Sequence, residues 1–361
     1  MELGFFTMPL HPPGRDYRET LAEDREAILL AEKLGFTEAF VGEHVTDRAE
    51  TVTSSLMFLA SLVHDTSTIK LGSGTVNLPN CHPAHVAAQV AMIDTLLEGR
   101  FLFGISPGGL PSDWEAFGTL DKDRRAMFAE AIEMIIALWT TPAPYNLEGQ
   151  FWTISTARTL WEEIGQGVML TPFQKPHPPI VVTAVEPHSK SVTAAAARGW
   201  STISANFLLP KWVATHGLRR VEGCARTGRT AASADWRVAK SVFVADDDAV
   251  ARDYGTGPNG PYHFYYSQLS RKLIRAGRAN LFKEDPDAPD ESVTVEGIVD
   301  AVVIRGTVNH VVDQILAFRE ETGDFGTLMY AGHDWVDPAL ARRSMALMAH
   351  EVLPRVNAAI R

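Results

Sequence analysis

Phe36-Thr37-Glu38-Ala39-Phe40-Val41-Gly42-Glu43-His44 is a short apolar run that stops at a glycine and is followed at once by an acid and an imidazole. A run of that length, closed by glycine, predicts a buried strand. In parallel α/β proteins ligands bind where strands end at their carboxyl side, so Glu43 and His44 stand where chemistry is expected.

Working outward, the same order recurs. Before this run come a strand at Leu3–Phe6, a loop with Pro9, Pro12 and Pro13, and a helix from Tyr17 to Leu34 that Gly35 stops. After it come a helical stretch at Ser54–Leu62, a strand at Ile69–Val76, a helix at Pro83–Leu97 and a strand at Phe101–Ile105. Lys122–Trp139 carries apolar residues at three-to-four spacing and predicts a long surface helix. The alternation lapses between 142 and 179, where Pro, Gly and aromatic residues dominate and short strands are expected near Phe151–Ile154. It resumes with strand Ile180–Thr183, helix Ser189–Arg198, strand Trp200–Ile203, helix Lys211–Thr227 and strand Trp236–Val244. A second excursion, 249–300, precedes helix Thr307–Glu321, strand Gly326–Tyr330 and a closing helix Pro338–Ile360.

Eight strands with intervening helices predict an α/β fold, a (β/α)8 TIM barrel, as one domain over 1–361 with insertions at about 142–179 and 249–300 on the C-terminal face. An open doubly wound sheet is the competing architecture. It lacks support, because no GxGxxG follows an early strand.

The 361 residues, 45% of them apolar, suffice for a large core. A formal charge of −11 opposes a general role on nucleic acid or anionic membrane. Cys81 and Cys224 fit neither a zinc pattern nor a disulfide framework, which favours a reducing compartment. The amino terminus lacks a signal-peptide pattern, and no window reaches about 18 uncharged apolar residues. A cytoplasmic protein is expected.

The strand ends nominate the site. His44 has the near-neutral titration suited to proton transfer, although it could equally orient its loop by a hydrogen bond. Asn77, Asn80 and His82 follow the third strand, where amides could read a heterocycle edge or simply build a turn. Ser106, with Gly108 and Gly109, follows the fourth strand and could donate to a planar cofactor while glycine allows close backbone approach. A serine nucleophile is disfavoured, since GxSxG is absent.

His188, Ser189 and Ser191 open the helix after strand five, a place for phosphate, with ordinary capping by Ser189 as the alternative. Arg219 or Arg220 could add charge there, but the sequence places neither. The run Tyr262-His263-Phe264-Tyr265-Tyr266, followed by Lys272, Arg275 and Arg278, reads as an active-site cover, a dimer contact or a local core. No metal is expected, and His263 lacks partners at ligand spacing.

Taken together, Leu3-Gly4-Phe5-Phe6, Glu43-His44, Leu71 to Pro83, Leu97-Glu98-Gly99-Arg100-Phe101, Phe103-Gly104-Ile105 and the helix after Arg305-Gly306-Thr307 resemble the bacterial luciferase-like flavin monooxygenases over essentially the whole chain. The resemblance implies reduced FMN, with its phosphate near His188, Ser189 and Ser191, Asn77 and Ser106 near the isoalloxazine, and His44 as the active-site histidine. Luciferases carry a reactive cysteine where Ser106 stands, so light emission is not carried over.

Within that family the chain looks closer to limonene-type and diketocamphane-type monooxygenases than to coenzyme F420 enzymes. The likeness implies a two-component system. A separate NAD(P)H-dependent flavin reductase supplies FMNH2, oxygen adds at flavin C4a, and the peroxide oxidises a small hydrophobic terpene, cyclic ketone or aldehyde. It also implies a homodimer. The alternatives are an F420-dependent oxidoreductase and a catalytically silent flavin-binding protein.

Overall fold

The computed structural model describes residues 1–8 and 10–360, so Pro9 of the first loop lies outside the described residues. Eight parallel strands carry the fold: β1 Glu2–Thr7, β2 Glu38–Val41, β3 Lys70–Ser73, β4 Phe101–Ser106, β5 Ile180–Ala184, β6 Ser201–Ser204, β7 Trp236–Val244 and β8 Thr327–Gly332. Their hydrogen-bonded order runs β7-β8-β1-β2-β3-β4-β5-β6 and returns to β7, the closed order of a (β/α)8 barrel. By contact the chain divides into two compact units, Met1–Ala39 with Arg48–Thr51 and Val181–Arg361, and Phe40–Asp47 with Val52–Ile180.

In the first unit β1 pairs with β8 in the register Gly4↔Met329, and β7 pairs with β6 and β8. All nine residues of β7 are buried, as expected of a strand covered on both faces. The Gly4 position is filled by a neighbour: a Cβ there would meet the Met329 sulfur at 2.3 Å. Below that layer Arg237 grips Glu38 through Nε and Nη2, at 2.5 and 2.9 Å, a bidentate pair removed from water.

Excursion 249–300 is mostly helical, with Asp248–Gly255, Pro261–Arg275 and Val295–Val302. Of the aromatic run, Tyr262, Tyr265 and Tyr266 are buried, and the Tyr262 hydroxyl donates to the Val242 carbonyl, so these three form core against β7. The sequence reading missed a strand at Val303–Gly306 that adds to the outer part of β7. It also took the last helix as continuous, whereas Pro338–Leu347 passes into a π-turn at Met348–Val352 before Leu353–Ala359.

In the second unit the expected third strand breaks after Ser73 and resumes as Val76–Asn77 beside the end of β4. Gly104 allows this crossing, since a Cβ there would lie 1.7 Å from the Ser73 carbonyl oxygen. Excursion 142–179 contains an antiparallel pair, Asn146–Glu148 with Thr153–Ser155. Its turn is held by the Glu130 carboxylate, which accepts from the backbone N–H groups of Gln150, Phe151 and Trp152.

Candidate active site

In the second unit the residues expected at the ends of β2, β3 and β4 do come together. His44 Nδ1 lies 3.0 Å from Asp113 Oδ2, and Asp113 Oδ1 accepts from Val45 N, Thr46 N and the Thr46 hydroxyl. Asp113 sits in the first turn of the short helix Pro111–Ala116. Burial alone would raise its carboxyl, but the hydrogen bonds from His44 and Thr46 outweigh that and bring it down to about 2. An ionised acceptor at Nδ1 fixes the tautomer. The hydrogen sits on Nδ1 and the lone pair on Nε2, the arrangement that lets an imidazole accept a proton on its far side.

Ser106 is a hub. Its hydroxyl donates to Asn77 Oδ1 at 2.8 Å and accepts from the Thr75 hydroxyl at 2.7 Å and from Gly108 N at 3.0 Å. Asn77 in turn donates from Nδ2 to the Glu43 carbonyl and from its backbone to Glu43 Oε1. Glu43 also accepts from the N–H and hydroxyl of Ser55, ties that oppose the upward push of burial on its carboxyl. Ser106 thus spends its one hydrogen within the protein and positions Asn77 and the loop to Gly108.

His82 caps the helix Pro83–Leu96, with Nδ1 accepting from Ala84 N. Asn80 Oδ1 accepts from Arg124. Arg124 also donates to the Pro107 carbonyl and packs over Trp114, fixing the glycine loop from outside. Asp113 and Arg124 are the functional neighbours that sequence reasoning missed.

In the first unit His188, Ser189 and Ser191 stand where helix Lys190–Arg198 begins. His188 takes a left-handed backbone, φ +53°, and its N–H donates to the Thr215 hydroxyl. Ser189 occupies the N-cap position without a side-chain capping bond. Its hydroxyl pairs instead with that of Ser191 at 2.7 Å. The free N–H groups of a helix start together with two hydroxyls are a donor set suited to phosphate.

The loop before them is pinned. Arg278 Nη2 donates to the Val185 carbonyl, and buried His216 bridges the Glu186 carbonyl and the Ser204 hydroxyl. Burial drives the His216 imidazole down to about 4, so it serves as a neutral strut. Arg219 pairs with Glu222 and Arg220 reaches the Ala232 carbonyl.

Among the described residues, His11, Glu23 and Asp334 are close enough to hold a cation together. Arg15 already lies 2.9 Å from Glu23 and 2.5 Å from Asp334, so a guanidinium supplies the positive charge there. His263 faces Glu296 at 3.4 Å near the surface.

Against known families, residues 1–324 match that of the luciferase-like monooxygenases. The chain belongs to this family. It is therefore an oxidoreductase of the monooxygenase class. Relatives span nearly its whole length. The 4-hydroxyprotoasukamycin monooxygenase of Streptomyces nodosus subsp. asukaensis is 30% identical over 100% of this chain and 93% of its own. Limonene 1,2-monooxygenase of Rhodococcus erythropolis is 29% identical over 99% and 87%. Among solved structures, the oxygenating constituent of 3,6-diketocamphane monooxygenase of Pseudomonas putida, a type II Baeyer-Villiger monooxygenase in complex with FMN, superposes with a TM-score of 0.88 at 26% identity, covering 99% and 98%. A coenzyme F420-dependent tetrahydromethanopterin reductase of Methanopyrus kandleri shares the luciferase-like fold at 19% identity and a TM-score of 0.69. Among the described residues no helix is long and apolar enough to cross a membrane.

Proposed function

We propose that this luciferase-like chain is the oxygenase of a two-component system that uses reduced FMN, supplied by a separate NAD(P)H-dependent reductase, to insert one atom of O2 into a small hydrophobic terpene, cyclic ketone or aldehyde. The observation that carries the reading is His44, held by Asp113 at the end of β2 with its proton on Nδ1. Reduced FMN supplies the electrons that activate oxygen. The donor set at Ser189, Ser191 and the following helix start fits its phosphate, and Asn77 is assigned to the edge of its ring system, positioned by Ser106.

In this reading His44 accepts or returns a proton at Nε2 as charge develops on the bound oxygen, and Asp113 stabilises the imidazolium when it forms. Ser106 and Arg124 hold the Pro107–Gly109 loop in place.

A second copy of the chain is the proposed partner. Met92 and Leu96, four residues apart on helix Pro83–Leu96, and Met57 on Ser55–Ala60 are 62%, 46% and 76% exposed, apolar side chains that a partner surface would cover. A dimer mass by light scattering, shifted to monomer by Met92→Glu, is the expected result.

Anaerobic titration with reduced FMN and, separately, reduced F420 tests the cofactor. Binding of reduced FMN alone is expected. Binding of reduced F420 alone would establish the alternative oxidoreductase reading, and binding of reduced FMN that yields no oxygenated product once O2 and substrate are admitted would establish the silent one.

A further inference from the structure

In the second unit the two helices proposed to meet a second copy carry no exposed charge. Ser55–Ala60 reads Ser-Leu-Met-Phe-Leu-Ala, and the single acid of Pro83–Leu96, Asp94, is turned inward, where it accepts from the backbone and side chain of Gln174. The outward positions of the longer helix are His85, Ala88, Met92, Thr95 and Leu96, at the three-to-four spacing of one face. Met57 lies on the shorter helix packed against it. In a chain of net charge −11 two copies repel over most of their surface, so a face without carboxylates is where they can pair.

The same face holds the accessible sulfur. The chain has ten methionines and two cysteines, and among the described residues only Met57 and Met92 of these are exposed, at 76% and 62%. Met127, Met134, Met329, Met345 and Met348 are buried. The thiols are withdrawn from reaction. Cys224 is buried, and burial, helped by the Glu43 carboxylate, pushes the Cys81 thiol up to about 11, so little of it is thiolate at neutral pH. A peroxide arriving from solvent meets two thioethers before any other sulfur.

Oxidation changes what this face can do. Hydrogen peroxide transfers one oxygen atom to a thioether sulfur as its O–O bond breaks, leaving a sulfoxide and water, and a flexible apolar side chain becomes a polar one. Pressed against a second copy, the sulfoxide oxygen bears the cost of a buried polar group without a partner. Reduced flavin that O2 reoxidises without oxygen transfer to substrate releases this peroxide, so the oxidant is a by-product of the reaction proposed above.

We propose that Met57 and Met92 form a redox-sensitive contact: hydrogen peroxide converts them to sulfoxides in the separated subunit, and the oxidised face no longer pairs with a second copy. The proposal rests on the dimer reading and adds its regulation.

The test is limited treatment of the whole protein with hydrogen peroxide, followed by peptide mass spectrometry and light scattering. One added oxygen at Met57 and at Met92, ahead of every other methionine, is expected. The reaction is expected to run faster in dilute than in concentrated protein, because pairing covers the sulfurs. The dimer dissociation constant should rise at least about tenfold and recover after treatment with methionine sulfoxide reductases. The double variant Met57→Leu with Met92→Leu keeps the apolar face without the sulfur and is expected to stay dimeric under peroxide. The double variant Met57→Gln with Met92→Gln, checked by circular dichroism, is expected to be monomeric without it. Oxidation elsewhere first, an oxidised wild type that pairs as before, or equal loss of pairing in the leucine variant would overturn the switch alone. An untreated wild type that is monomeric at every concentration would refute the dimer reading itself.

Discussion

Asp113 Oδ2 meets His44 Nδ1 at 3.0 Å although 69 residues separate them in the chain. A carboxylate held at about 2 stays charged at any working pH, so the pairing acts on orientation and proton affinity and is not a switch. Asp113→Asn keeps the shape and removes the charge. The expected result is a fall in kcat of about 100-fold with FMN affinity within twofold, measured by coupled turnover and by flavin fluorescence. Unchanged turnover would show that His44 needs no such partner.

Ser189 is the clearest handle on the proposed phosphate site, because its hydroxyl is not spent on capping. Ser189→Ala should weaken FMN binding about 5- to 10-fold, a hydrogen bond of roughly 1 kcal/mol. Ser189→Asp, which adds a negative charge at the proposed phosphate site, should weaken it far more. Inorganic phosphate should compete with FMN in the wild type and less well in Ser189→Ala.

The His11 cluster sets a pH dependence of stability. Burial alone would lower the imidazole, but the hydrogen bonds to Asp24 and Asp334 prevail and raise it to about 9. A raised histidine stabilises the fold fully below its unfolded value near 6.5, and that contribution is lost as pH climbs through the folded value. Thermal melts should therefore show a decline between about pH 6.5 and 9, on the order of 2–3 kcal/mol. His11→Gln should lower Tm at pH 6 and flatten this slope. A wild-type Tm that stays level across the window would remove the cluster from the account.

Gly104 has no room for a side chain. Gly104→Ala puts a methyl 1.7 Å from the Ser73 carbonyl, at the crossing of β3 and β4 that sets Asn77 and Ser106. A loss of about 3 kcal/mol or more in urea unfolding is expected, and FMN affinity should fall with it.

The barrel was legible because each strand is a short apolar run closed by a glycine or polar residue, as at Phe101–Ile105 before Ser106. His44 was legible for the same reason. Asp113 was not, since in sequence it lies in a polar stretch after Pro111, and only folding reveals the four hydrogen-bonding groups it gathers. His333 and Asp334 follow β8 directly, so the rule that found His44 could have found them. The strand at Val303–Gly306 was missed because four residues beside a helix end carry no period of their own.

The central claim is tested most directly by mass spectrometry of the organic product formed under 18O2, with NADH, FMN and an added flavin reductase. The account predicts one 18O atom per product molecule, dependent on FMN and lost in His44→Ala while FMN still binds. An unlabelled product, or labelling undiminished in His44→Ala, would contradict it.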